Sequence, residues 1–228
     1  MKLLPRCFIL GTLLLAPALF ATDSFEGKVS LLITTAKSKP QTLNYALKGQ
    51  ALRIDIDTGK DGTFGTIMDL GRHEMLIIMN AQQMYMTMPM KGLEAKASAA
   101  AGAAGSTSQL EKTGKTEIIL GYKCEQLLMH DKGHNTEAWV AEGLGNFMGL
   151  GGGGPMGGGR KPSAWESTLK GQGGFPLRVI DRDTGGKEVF RMEATKIEPG
   201  SLPDSLFGPP DGFQKFSMPD LGGLFKQG

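Results

Sequence analysis

Apolar and polar residues alternate with a period of two along much of this chain. In Leu52-Arg53-Ile54-Asp55-Ile56-Asp57, the residues Leu52, Ile54 and Ile56 fall on one side and Arg53, Asp55 and Asp57 on the other, as in a half-buried antiparallel strand. The same pattern predicts strands over 25–35 and 43–48, with a tight connection at Lys48-Gly49-Gln50 leading into 52–57. It continues over 63–70, 74–79 and 84–88, broken by polar turns at Gly71-Arg72 and Asn80-Ala81-Gln82 and ended by Pro89. Short strands joined by short turns predict a meander.

A second set follows over 116–120, 122–130 and 135–141, the last two joined by a hairpin at Asp131-Lys132-Gly133. Another hairpin is predicted over 175–182 and 187–197 about Asp183-Thr184-Gly185-Gly186. Helical patterns are few, the best being 162–170, where Ser163 caps a turn that carries Trp165 and Leu169. Two low-complexity inserts, 95–108 (Ala, Gly, Ser) and 149–159 (nearly all Gly), predict surface loops. After Pro199 the chain is rich in Pro and Gly and is expected to pack as an extended tail. The pattern as a whole predicts a mainly β fold with one or two short helices.

The first residues do not fit this pattern. Lys2 and Arg6 precede an apolar run from Phe8 to Leu15, and Ala16-Pro17-Ala18-Leu19-Phe20-Ala21 supplies the small residues of a signal-peptidase site. We therefore expect a cleavable signal peptide over 1–21, cut after Ala21 or alternatively after Ala18. A single β-rich domain over 22–219 and a C-terminal tail over 220–228 would follow. The apolar run is shorter than the ~20 residues a membrane helix needs, and no other segment approaches that length. Cys7 precedes the run instead of ending it, which does not match a lipoprotein signal. Its removal leaves Cys124 alone, with no intramolecular disulfide to form.

Charge narrows the partners. Removing Lys2 and Arg6 from the 25 basic residues leaves 23, against 23 acidic ones, with no basic block. Nucleic acid is not an expected partner.

Candidate chemistry is sparse. Asp57-Thr58-Gly59-Lys60-Asp61-Gly62 resembles a calcium loop, but an EF-hand needs an acidic or amide ligand where Gly59 stands and a Glu where Met68 stands. The glycines at 151–154 and 157–159 end in Arg160-Lys161-Pro162, not in the Gly-Lys-Ser/Thr of a phosphate loop. Cys124 has no neighbouring base, and no Gly-x-Ser-x-Gly or His-Glu-x-x-His appears. We expect no enzyme and no cofactor.

The methionines are the strongest signal. Met84, Met86, Met88 and Met90 alternate on one strand face, with Met75 and Met79 one strand earlier and Met68 another before that. Methionine adapts to irregular apolar ligands. The predicted lining is Met68, Met75, Met79, Met84, Met86, Trp139 and Phe147. Thioethers also suit Cu(I), so Met84, Met86, Met88 and Met90, with His130 and His134 across the hairpin, form the alternative metal set.

Several spaced motifs resemble a family of exported bacterial proteins that carries a domain-of-unknown-function label. They are Leu52-Arg53-Ile54-Asp55, Ile67-Met68-Asp69, Met75-Leu76-Ile77-Ile78-Met79, Tyr85 before Met88-Pro89, Gly121-Tyr122-Lys123-Cys124-Glu125, Glu137-Ala138-Trp139-Val140-Ala141 and Gly212-Phe213. That family in turn resembles periplasmic lipoprotein carriers of the LolA and LolB type. The resemblance implies a curved antiparallel sheet forming an unclosed half-barrel capped by short helices, with acyl chains held on its concave face. The carriers' functional arginine lies beside a proline; Arg53 is followed by Ile54, so that role is not carried over. The expected function is a periplasmic, non-enzymatic binding protein for a lipid or lipid-modified partner. A Met-rich copper protein and an envelope assembly factor are the alternatives.

Overall fold

A computed structural model describes residues 25–36, 38–57, 62–90, 109–131, 133–145, 147–150, 163–170 and 173–216. The expected signal peptide over 1–21, positions 58–61 of the calcium-like loop, the insert 95–108, positions 151–159 of the second insert, Lys132 and the tail 220–228 lie outside them.

The first strands are β1 (Gly27–Thr35), β2 (Ser38–Lys48), β3 (Ala51–Asp57), β4 (Thr63–Asp69), β5 (Glu74–Met79) and β6 (Met84–Pro89). The second run holds β7 (Gln109–Ile119), β8 (Tyr122–Asp131), β9 (His134–Ala141), β10 (Phe175–Asp183), β11 (Glu188–Pro199) and the two-residue β12 (Gln214–Lys215). All twelve join one sheet in the order β12-β6-β5-β4-β3-β2-β1-β11-β10-β9-β8-β7. Every pairing is antiparallel except the short β12–β6 contact. The sheet has two edges and is not closed into a barrel, the mainly β architecture that the alternation predicted.

One α-helix is described, α1 (Ala164–Leu169), between β9 and β10. Ser163 and Glu166 close a capping box at its start: the Glu166 carboxylate accepts the Ser163 backbone N–H at 3.2 Å and its hydroxyl at 2.7 Å. Single 3-10 turns stand at Asn80–Gln82 and Asp204–Phe207. Among the described residues no helix is long and apolar enough to cross a membrane.

Two elements run further than alternation indicated. β7 begins at Gln109, not 116, because a register shift between Lys112 and Thr116 interrupts the period of two. β2 begins at Ser38, and its Pro40 falls where the β1–β2 register shifts, a position that tolerates a missing N–H. The tail after Pro199 is also more than an extended strand. Leu202, Leu206, Phe207 and Phe213 pack on Ala46, Ile67, Leu76 and Ile78 across the outer face of the sheet. Burying a side chain such as Phe207 contributes about 1.5–3 kcal/mol. Polar ties hold the first part of this strap. Glu26 accepts the Leu202 N–H, Lys48 bridges to Asp204 at 2.8 Å, and Arg53 donates to the Leu206 carbonyl at 3.0 Å. β12 then covers part of the β6 edge, where an open strand would invite pairing with another chain.

Candidate functional site

Cross-strand register assigns each side chain to a face. Three rows cross five strands on the inner face: Leu47, Leu52, Met68, Met75 and Met88; Tyr45, Ile54, Thr66, Ile77 and Met86; Leu43, Ile56, Phe64, Met79 and Met84. Because paired residues point the same way, five of the seven predicted lining residues, Met68, Met75, Met79, Met84 and Met86, share one surface. Met75, Met79 and Met86 are buried, whereas Met68 and Met84 are half-buried. Met90 joins Met75, Ile77 and Met86 in one cluster, with Phe64, Met68 and Met88 packed against it. Met68 also touches the main core, so the methionine surface and the core are continuous.

The other end of the inner face is aromatic. Phe147 packs on Tyr45, Phe175 and Trp165 at ring distances of 6.1, 5.8 and 5.9 Å, beneath α1. It is therefore part of an enclosed aromatic core and not of the methionine surface.

Trp139 belongs to the main buried cluster but not to the methionine rows. Its register partners are Gln126 and Arg178, on the face that carries the charged residues. Its indole N–H donates to Glu137 at 2.8 Å, and Glu137 also accepts from Gln126 and Arg182. Burial acts to raise the Glu137 pKa, but these three donors outweigh it and leave the carboxyl below its ordinary value. Arg178 completes the network by bridging Glu117 at 2.9 Å and Glu193 at 3.1 Å.

The alternative metal set is not brought together. His130 pairs with Asn135 and His134 with Asp131, so the two imidazoles point to opposite faces of the hairpin. His130 Nδ1 contacts Asn135 Oδ1 at 2.7 Å. In the sheet order seven strands separate β9, which carries His134, from β6, which carries Met84, Met86 and Met88. Cys124 is fully buried beside the Tyr122 carbonyl, and burial pushes its thiol pKa up. A raised thiol is a poor nucleophile at neutral pH.

Sequence alone did not group one further set of residues. At the far end of β8–β10, Met129, Asp131, His134, Thr136, Ser163, Ala164, Trp165 and Asp181 line a cleft of about 190 Å³. Asp181 accepts the Thr136 hydroxyl at 3.0 Å and faces His134 Nδ1 at 2.9 Å. No short motif signals this pair, because 47 residues separate His134 from Asp181.

Comparison with known proteins adds the following. The family model described as a domain of unknown function (DUF4412) matches residues 25–213. No curated protein matches the chain. Among solved structures, an uncharacterized conserved protein from Thermus thermophilus superposes with a TM-score of 0.51 at 10% identity, covering 86% of this chain and 91% of that one. That likeness is one of fold. The MucA/MucB complex of Pseudomonas aeruginosa gives a TM-score of 0.45 at 11% identity, covering 86% of this chain and 60% of the other. A LolA superfamily protein from Nitrosomonas europaea gives 0.32 at 15% identity, covering 83% and 91%.

Proposed function

We propose that this chain, which belongs to the DUF4412 family of domains of unknown function, is an exported, non-enzymatic binding protein. Its ligand is an acyl chain, from a lipid or a lipid-modified partner, taken up on the inner face of the sheet. In this reading residues 1–21 are the cleaved signal and residues 22–219 act as one domain.

The observation that carries the reading is the set of three apolar rows across β2 to β6. They place Met68, Met75, Met79, Met84, Met86 and Met88 beside Phe64 and Ile77 on one surface of an unclosed sheet. Unbranched thioether side chains re-pack around a guest at little cost, and a curved apolar surface with few polar groups suits an alkyl chain better than a polar metabolite. The outer face is unsuited to the same task. Its β3–β6 half lies under the C-terminal strap, and its β7–β11 half carries the Arg178, Arg182 and Glu137 ion pairs.

The test is gentle purification of the chain from residue 22 on, followed by native mass spectrometry and titration with a fluorescent long-chain fatty acid. Bound acyl chains, and a titration weakened at least about tenfold by Met86→Lys but not by Thr87→Lys on the opposite face, are expected. A chain that takes up no acyl ligand in excess would refute the reading.

A further inference from the structure

We propose that the cleft at the end of β8–β10 is a binding site for monovalent copper, with His134 and Met129 as its donors. The site is separate from the acyl surface and does not depend on it.

The geometry around His134 carries the inference. Asp181 is nearly buried, at 8% exposure, and an ionised carboxylate only accepts hydrogen bonds. Its Oδ1 takes the Thr136 hydroxyl and its Oδ2 faces His134 Nδ1. Nδ1 is therefore the ring nitrogen engaged by the carboxylate, which leaves Nε2 as the nitrogen to offer a metal ion. A carboxylate behind the ring is the arrangement that fixes the tautomer and aim of metal-bound histidines, and it raises their basicity. The His134 side chain is 51% exposed, so the ring is accessible from solvent.

The neighbours select the ion. Met129 pairs with Thr136, and Asp131 with His134, so the pleat places the thioether and the second carboxylate on the imidazole's face of the hairpin. All of them line the cleft. Among the described residues no three His, Cys, Asp or Glu side chains gather into a metal cage, so the donor set is not that of a closed zinc or calcium site. One imidazole nitrogen and one thioether sulfur are a soft pair suited to Cu(I). The Asp131 carboxylate, on the same face of the hairpin, lowers the electrostatic cost of holding a cation. The binding step involves no electron transfer, because the ion arrives and stays as Cu(I).

The experiment is an anaerobic titration of Cu(I) into the chain from residue 22 on, in competition with a chromophoric chelator, with a native mass spectrum in Ag(I) to count ions. One ion per chain is expected. His134→Gln and Met129→Leu should each weaken binding at least about tenfold, and Asp181→Asn by about 10–100-fold through the lost support of the ring. His130→Gln on the opposite face, and the combined Met84→Leu, Met86→Leu, Met88→Leu variant, should bind like the parent. Met129→Leu conserves volume and should stay folded, which a circular dichroism melt checks. Absence of uptake, uptake indifferent to His134→Gln, or uptake abolished by the Met84, Met86 and Met88 changes would overturn the proposal.

Discussion

Tyr45 offers a direct probe of the inner core. The residue is 1% exposed, and its hydroxyl has no hydrogen-bond partner among the described residues. The ring is well placed, edge-on to Phe175 at 5.3 Å and tilted against Phe147 at 6.1 Å. A buried hydroxyl without a partner costs about 1–3 kcal/mol relative to the hydrated group in the unfolded chain. Tyr45→Phe removes that cost and keeps the ring contacts, while the space left by one oxygen returns part of it. We expect a net stabilisation of about 1 kcal/mol, which in a domain of this size raises Tm by about 2–4 °C. The difference should also depend on pH. Burial, and secondarily the negative charge of Glu166, push the Tyr45 pKa well above its ordinary value of 10.0. A group whose folded pKa is raised contributes stability below its unfolded pKa and loses it as pH climbs toward the folded one. The native chain should therefore weaken above pH ~10 in a way that Tyr45→Phe does not, so the gap between the two widens there. Differential scanning calorimetry across pH 7–11 reads both effects. A Tm lowered by 2 °C or more in Tyr45→Phe would show instead that the hydroxyl is satisfied in the folded protein.

Three further outcomes follow from local geometry. A Cβ added at Gly65 would stand 2.7 Å from Asp55 Oδ1 and 3.2 Å from Ile78 Cβ; Gly65→Ala should cost about 1–3 kcal/mol by overpacking, and an unchanged urea midpoint would contradict it. Glu26 is held below its ordinary pKa of 4.5, chiefly by the Leu202 N–H. Its contribution is present above that value and lost as pH falls through the folded pKa, so Glu26→Gln should flatten the loss of Tm on acidification below pH 5, and parallel pH profiles would rule the latch out. Ser163→Ala opens the capping box of α1 and should cost about 1 kcal/mol, as a thermal melt would register; no change would mean that the box contributes nothing in solution.

The pleat explains what the sequence revealed and what it hid. Alternation in 52–57 located β3 and its faces correctly, and the polar turns located β4, β5 and β6, because regular antiparallel pairing preserves a period of two. The same logic put Met68, Met75, Met79, Met84 and Met86 on one surface. It failed where the register breaks. The shift between Lys112 and Thr116 hid the first half of β7. Trp139 has the composition of a lining residue, yet pairing with Gln126 and Arg178 turns it to the charged face. A slip of one residue exchanges the faces, and apolar character alone does not fix the register. The His134–Asp181 contact was hidden for another reason: it joins strands that are neighbours only after β10 folds back on β9.

The two ends of the inner face differ in ways that fit different tasks. Toward α1, Tyr45, Phe147, Trp165 and Phe175 meet at ring distances of 5.3 to 6.1 Å. Rings with two side-chain torsions, packed edge-on, tilted and stacked against one another, have little freedom to yield to a guest. Toward β6 the cluster is built from β4, β5, β6 and Met90, and most of its members are methionines. Three rotatable bonds per side chain give that surface many packings of similar energy. A ligand that varies in length or branching needs such a surface, and it also needs a wall that does not move with it. Met68 touches both clusters, so in the proposed reading the rigid aromatic end would set where an apolar chain stops and the methionine end would adapt to how it lies.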